Sequence, residues 1–318
     1  MPRGSGTFGL LPLGQLATMM SLAHNGKEAS MSAKPIVAAT DGSGESLRAV
    51  DWAAREAALR GAPLRIISAA ALLPRMMIGG HAMLSDDDTV ADTIRKHRAQ
   101  ALAAATERAT KTAPELLVDA DPLEGSAAEA VTEAGSGALM LVVGSRGNGA
   151  FAAMVLGSVS RYAATHAACP VVVVREETGA AHSQVGIGIG DLENRASLTF
   201  AFEEATLRKA SLIAIHSWHL PDSDVSRAGP GPSGPAGYVE ETETAKRLEQ
   251  LLDEWRAKYP DVPVSRELVH GHPGRALVGL SARADLVVLG RRSAHHGPAS
   301  VMHAVLSHAH GPVVTVPS

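Results

Sequence analysis

The sequence predicts an α/β protein made of two tandem, doubly wound, parallel five-stranded sheets, each with strand order 3-2-1-4-5. Three observations carry this. Short apolar runs of Val, Ile, Leu and Ala alternate with longer segments of helical periodicity. Hydrophobic residues make up 45% of the chain and aromatics only 3%, so the core is aliphatic, as in strands buried on both faces. The whole pattern then restarts in the second half of the chain.

The elements follow in order. "PIVAAT" (35–40) is the first strand and ends at "DGSGES". A helix over 46–61 carries apolar residues at Leu47, Val50, Ala54 and Leu59 and stops at Gly61. Strand "LRIISAA" (64–70) follows, then a loop with Pro74, Gly79 and Gly80 and a long helix over 87–112. Strand 115–120, helix 125–136, strand 138–144, helix 157–167 and strand 171–174 complete the first unit. Strands alternating with helices require right-handed parallel crossovers.

The repeat is read by direct comparison. "VGIGIGD" (185–191) stands where "IVAATD" (36–41) stood, which pairs Asp191 with Asp41. "EEATLRKASLIAIHSW" (203–218) answers "REAALRGAPLRIISAA" (55–70), "ADLVVLG" (284–290) answers "ALMLVVG" (138–144), and "GPVVTV" (311–316) answers "CPVVVV" (169–174). The expected organisation is a tail over 1–32, a first domain over 33–176 and a second over 183–318. The Gly/Pro-rich stretch 227–237 reads as a loop before a helix over 239–258.

Composition bounds the function. A chain of 318 residues suits two domains. The net charge of -4 gives no basic field for nucleic acid. The single cysteine, Cys169, excludes a disulfide framework and points to a reduced, cytoplasmic setting, where it reads as a small buried hydrophobe. No apolar run is long enough to span a membrane. "GLLPLGQLATMMSLA" (9–23) resembles a leader but is broken by Pro12 and Gln15. It reads as a disordered tail or an upstream start, because Met31 directly precedes the first strand.

The chemistry gathers in "VVGSRGNGAFAAMVLGSVSRYAATHAACPVVVV" (142–174). Glycines 144, 147 and 149 let backbone approach an anion. Gly157 and Ser158 open a helix whose free N–H groups and positive dipole end favour phosphate. The hydroxyls of Ser158 and Ser160 can add donors, and Arg146 can add charge or simply be solvated. A plain flexible turn is the competing reading. With strand order 3-2-1-4-5, this loop and Asp41 flank the switch point between strands 1 and 4.

Three lookalikes are set aside. "GIGIG" (186–190) lies inside a strand and lacks the G-x-G-x-x-G spacing. No P-loop is present, since Gly26-Lys27 is followed by Glu28. Thr40 before Asp41 leaves no acidic pair for a phospho-acceptor site.

Gly144-x2-Gly147-x9-Gly157-Ser158 resembles the G-x2-G-x9-G-[ST] signature of the universal stress protein family. Asp41 after strand 1, the last strand "CPVVVV" and the tandem arrangement extend the resemblance over roughly 34–317, in the two-domain actinobacterial form. The resemblance implies a Rossmann-like, HUP-type fold and a regulatory ATP-binding protein with no catalytic base, at most a slow ATPase. By position it implies Asp41 near ribose and phosphates, and backbone near Ala69 against adenine. It places Gly144, Gly147, Gly157 and Ser158 around the phosphates, with Mg²⁺ held mainly by phosphate oxygens, and Thr40, Arg146, Gly149, Val159 and Ser160 beside them complete the candidate nucleotide site. It also suggests a homodimer through the last strand of a domain, though a loop can cover such an edge, and an unidentified protein partner. A nucleotide-free interaction protein of the same fold is the alternative.

The second copy departs from the signature. After Gly290, Ser293 stands at the second glycine, the loop is shorter, Ala299-Ser300 replaces Gly-Ser, and Pro298 removes an N–H. A weak or absent site is expected there. Seven histidines, at 270, 272, 295, 296, 303, 308 and 310, read as surface loop residues rather than metal ligands, since no carboxylate or cysteine joins them at ligand spacing.

Overall fold

The computed structural model describes residues 33–70, 87–147, 156–175, 181–190, 195–218, 235–291 and 299–318. The expected tail 1–32, the loop with Pro74, and Gly149, Asp191, Ser293, Pro298, His295 and His296 lie outside these residues. The first half runs β1 (Ile36–Ala39), α1 (Gly44–Arg60), β2 (Leu64–Ala70), α2 (Asp87–Thr112), β3 (Val118–Glu124), α3 (Ala127–Ala134), β4 (Met140–Gly144), α4 (Ser158–His166) and β5 (Val171–Val174). The second runs β6 (Gln184–Gly188), α5 (Arg195–Arg208), β7 (Ser211–Trp218), α6 (Pro235–Lys258), β8 (Val264–His270), α7 (Pro273–Ser281), β9 (Leu286–Gly290), α8 (Ala299–His308) and β10 (Val313–Val316).

Each half has the expected strand order, and the two sheets are continuous. The order across the molecule is β3-β2-β1-β4-β5-β10-β9-β6-β7-β8. Every pairing is parallel except β5 with β10, which is antiparallel. There Val172 faces Val314, flanked by Val173–Val313 and Val171–Thr315. The same strand of each copy therefore meets across a pseudo-twofold axis. Helices α1, α2, α5 and α6 cover one face and share one core, with Val50, Leu102, Phe202 and Leu252. Helices α3, α4, α7 and α8 cover the other, with Val131, Ala163, Leu277 and Val305.

Two boundaries differ from expectation. β3 lies later, because its register to β2 runs from Leu64–Val118 to Ala70–Glu124. Pro122 sits inside it without cost, since β3 is an edge strand and needs no outward N–H. α6 begins at Pro235, within the stretch expected as loop; proline is tolerated in a first helical turn. The glycines of β6 answer to packing: a Cβ on Gly186 would lie 2.5 Å from Leu280 Cδ2, and one on Gly188 2.8 Å from Leu277 Cδ2. Cys169 is buried and free, and burial pushes its thiol pKa up.

Four charges bridge the halves at the helices nearest the axis. Arg60 Nε donates to Glu56 Oε1 at 2.6 Å and also bonds Glu204. Arg208 donates to Glu56 Oε2 at 2.5 Å and also bonds Glu204. Glu56 and Glu204 are 3% and 0% exposed, and the two arginines that bond them are half-buried. Burial lowers the Arg208 pKa, with Glu56 opposing.

Candidate functional site

The carboxyl ends of β1 and β4 carry the site, at the point where strand order reverses. The chain leaves β1 through Thr40 and Asp41 in a tight polar turn. Gly42 takes φ +80°, a conformation that favours glycine, and its N–H donates to Thr40 Oγ1 at 3.1 Å. The Ser43 N–H donates to Asp41 Oδ1 at 3.0 Å, and the Asp41 N–H donates to Ser46 Oγ at 3.3 Å. Ser43 caps α1 by accepting from the Ser46 N–H at 3.2 Å. Thr40 is buried, its hydroxyl 3.1 Å from that of Ser46. The stretch "TDGSGES" is thus a self-bonded knot that fixes Asp41.

The glycines divide by role. At Gly144 a Cβ would lie 2.9 Å from the Glu45 carbonyl carbon and 3.0 Å from the Ser46 nitrogen. Its smallness is demanded by the backbone of α1. At Gly147 a Cβ would lie 2.3 Å from Asp41 Oδ2, so the loop and the carboxylate meet there. Gly157 is different. Its φ of -66° suits any residue, and among the described residues a Cβ would come no nearer than 3.5 Å to another atom. None of the described residues requires a glycine at 157.

Helix α4 starts at this point with no side-chain hydrogen bond from its N-cap residue. Its N-cap, Gly157, offers no side-chain acceptor, and its first turn holds no acid. The Gly157 N–H donates to the Ser145 carbonyl at 2.8 Å, which ties the helix start to the exit of β4. The N–H groups of Ser158, Val159 and Ser160 are then the first-turn donors that a helix cannot satisfy internally. Ser158 is exposed, and Val159 packs on the core behind. Ser160 departs from the expectation of a phosphate donor: it is buried, and its hydroxyl donates to the Gly144 carbonyl at 2.6 Å. It positions the strand end instead. Arg146 is 42% exposed and lies 3.7 Å from Glu45 Oε1, a weak surface pair that leaves the guanidinium free to turn to an anion. Ala69 sits near the end of β2, opposite Leu123 of β3. Ser43 belongs to the turn that the sequence places at the switch point; Ser46, which also holds that turn, and Glu45 were not expected, and "SGES" before a helical run was their signal.

The sequence profile of the universal stress protein family matches residues 32–175 and again 183–317. The chain belongs to the universal stress protein family. A universal stress protein of Mycolicibacterium smegmatis is 33% identical over 260 residues, covering 80% of this chain and 86% of that one. Universal stress protein Rv2005c of Mycobacterium tuberculosis is 32% identical over 303 residues, covering 88% and 95%. A solved universal stress protein of Archaeoglobus fulgidus shares the fold, with TM-score 0.62 at 17% identity over 90% of this chain and 99% of that one.

The second copy of this universal stress protein keeps the frame and changes the polar groups. Val185 pairs with Leu212 and Leu286 as Ile36 pairs with Leu64 and Met140. Counting on from that register, Ile189 stands at the place of Thr40 and Gly190 at the place of Asp41. The sequence match of Asp191 to Asp41 is therefore one residue out of step. Counting back from Ala309, the counterpart of Ala167 after the last helix, Met302 replaces Ser160. Arg291 replaces Ser145 and donates across the halves to the Ala167 carbonyl at 2.6 Å. Among the described histidines, His272 caps α7 by accepting from the Gly274 N–H at 3.1 Å. No group of three or more metal-ligating side chains occurs among the described residues. No helix among them is long and apolar enough to cross a membrane.

Proposed function

We propose that this universal stress protein is a regulatory protein that binds a nucleotide, ATP in our reading, through its first half. The observation that carries it is the N-terminus of α4, which its N-cap residue leaves without a side-chain cap and which begins at a glycine that no described neighbour requires, beside the fixed carboxylate of Asp41. Helix N-terminal N–H groups and the dipole behind them suit phosphate. Ser158, Gly147 and Arg146 are the groups nearest at hand, and Mg²⁺ would be held chiefly by phosphate oxygens, with Asp41 able to contribute. The site reads as one for binding and release. Nucleotide occupancy would alter how α1 and α4 present to a protein partner. The second half, with Ile189, Gly190 and Met302 in place of the polar frame, acts as the non-binding partner of the first.

Calorimetry with ATP and Mg²⁺ on the wild type and on Gly157→Asp tests this. The expected result is one site per chain, abolished by the added charge. Two sites would give the second half its own ligand. No binding by a folded wild type would favour the interaction protein without nucleotide.

A further inference from the structure

Arg98 of α2 is 6% exposed, and among the described residues its one hydrogen bond runs from Nη1 to the Leu123 carbonyl, at 2.6 Å. Its Nε is buried and has no partner among the described residues. A buried cation with one neutral partner is costly unless something else compensates it. The place is specific. Leu123 is the register partner of Ala69 across β2 and β3. One turn further along α2, Ala101 packs on the Asp41 turn, 3.2 Å from where a Cβ of Gly42 would lie. α2 runs antiparallel to the strands, and helical side chains tilt toward the helix N-terminus. Arg98 therefore points from Ala101 toward the ligand edge, on the side away from α4. Nor does the fold demand it. Matching the helix ends, Ala113 with Tyr259 and Leu102 with Leu248, puts the uncharged Thr244 at this position in the second copy.

We propose that Arg98 is a ligand-binding residue of the first half, donating to the base edge of a purine nucleotide. The inference rests on the nucleotide reading of the site. With Nη1 engaged, Nε–H and Nη2–H form a fork of two parallel donors. A 6-keto purine offers N7 and O6, two acceptors that match the fork; adenine offers N7 beside the N6 amine, one acceptor and one donor. Arg98 thus contributes to any purine nucleotide and more to a keto one.

Calorimetry on the full chain, with tripolyphosphate, ATP and ITP each with Mg²⁺, compares wild type and Arg98→Met, with thermal melting to verify folding. Tripolyphosphate affinity should be unchanged, ATP affinity should fall, and ITP affinity should fall further, by about tenfold or more. Arg98→Lys, which keeps the charge and loses the fork, should reproduce that order and serves if the methionine variant does not fold. Equal losses for all three ligands would make Arg98 a general charge and overturn the proposal, as would unchanged ATP and ITP binding. Binding of none of the three by the wild type would overturn the nucleotide reading itself.

Discussion

Gly144 and Gly157 look alike in the signature but answer to different constraints. Gly144 is pressed by the α1 backbone, so Gly144→Ala should destabilise the protein by about 1–3 kcal/mol, as overpacking does. Gly157 has ordinary φ, and a Cβ there would make only ordinary contacts, 3.5 Å or more, with the described residues, so Gly157→Ala should leave the melting temperature nearly unchanged while weakening nucleotide binding. Chemical denaturation and calorimetry on both variants separate the two effects. Equal destabilisation by both would remove the argument that 157 is glycine for a ligand. Spacing alone found both residues and could not distinguish them, because the difference lies in which atoms come near. The same holds for Ser160, whose hydroxyl turns inward to the Gly144 carbonyl, and for Arg98, which has no motif around it.

Among the elements, α1 joins two regions. Its N-terminus carries the Asp41 turn, and its C-terminal turns carry Glu56 and Arg60 to the charge ring with α5. Removing one of its buried carboxylates leaves an uncompensated charge. Glu204→Ala should therefore cost about 3–5 kcal/mol, read by urea denaturation; a cost under about 1 kcal/mol, the range of solvated surface pairs, would mean that water solvates the arginines. The repeat was legible in the sequence because both copies keep the same apolar framework. Glu56 and Glu204, with Arg60 and Arg208, stand at matched positions within it, yet nothing in their spacing showed that they would meet. Strand order followed from β-α alternation and the switch-point rule. The limits of β3 did not, because an edge strand needs little apolar pattern and accepts Pro122. The out-of-step Asp191 was invisible for a related reason: an alternating Gly-Ile strand aligns nearly as well one residue over.

At the scale of the molecule, the halves share one sheet and both cores. A single calorimetric transition, with equal van't Hoff and calorimetric enthalpies, is the expected outcome; two resolved transitions would show that the halves unfold separately. The last strands, which the family resemblance assigned to a homodimer, are paired with each other inside the chain. Any homodimer would have to use another surface. The outer edges are β3 and β8, and β3 is guarded by Asp119, Asp121 and Pro122.

The antiparallel β5–β10 seam joins strands of two halves whose chain connection is short, from Val174 to Gln184. A connection of that length holds one half at an effective concentration on the order of millimolar relative to the other. Dilution does not weaken an association of this kind. The second half therefore completes the sheet of the first at every protein concentration.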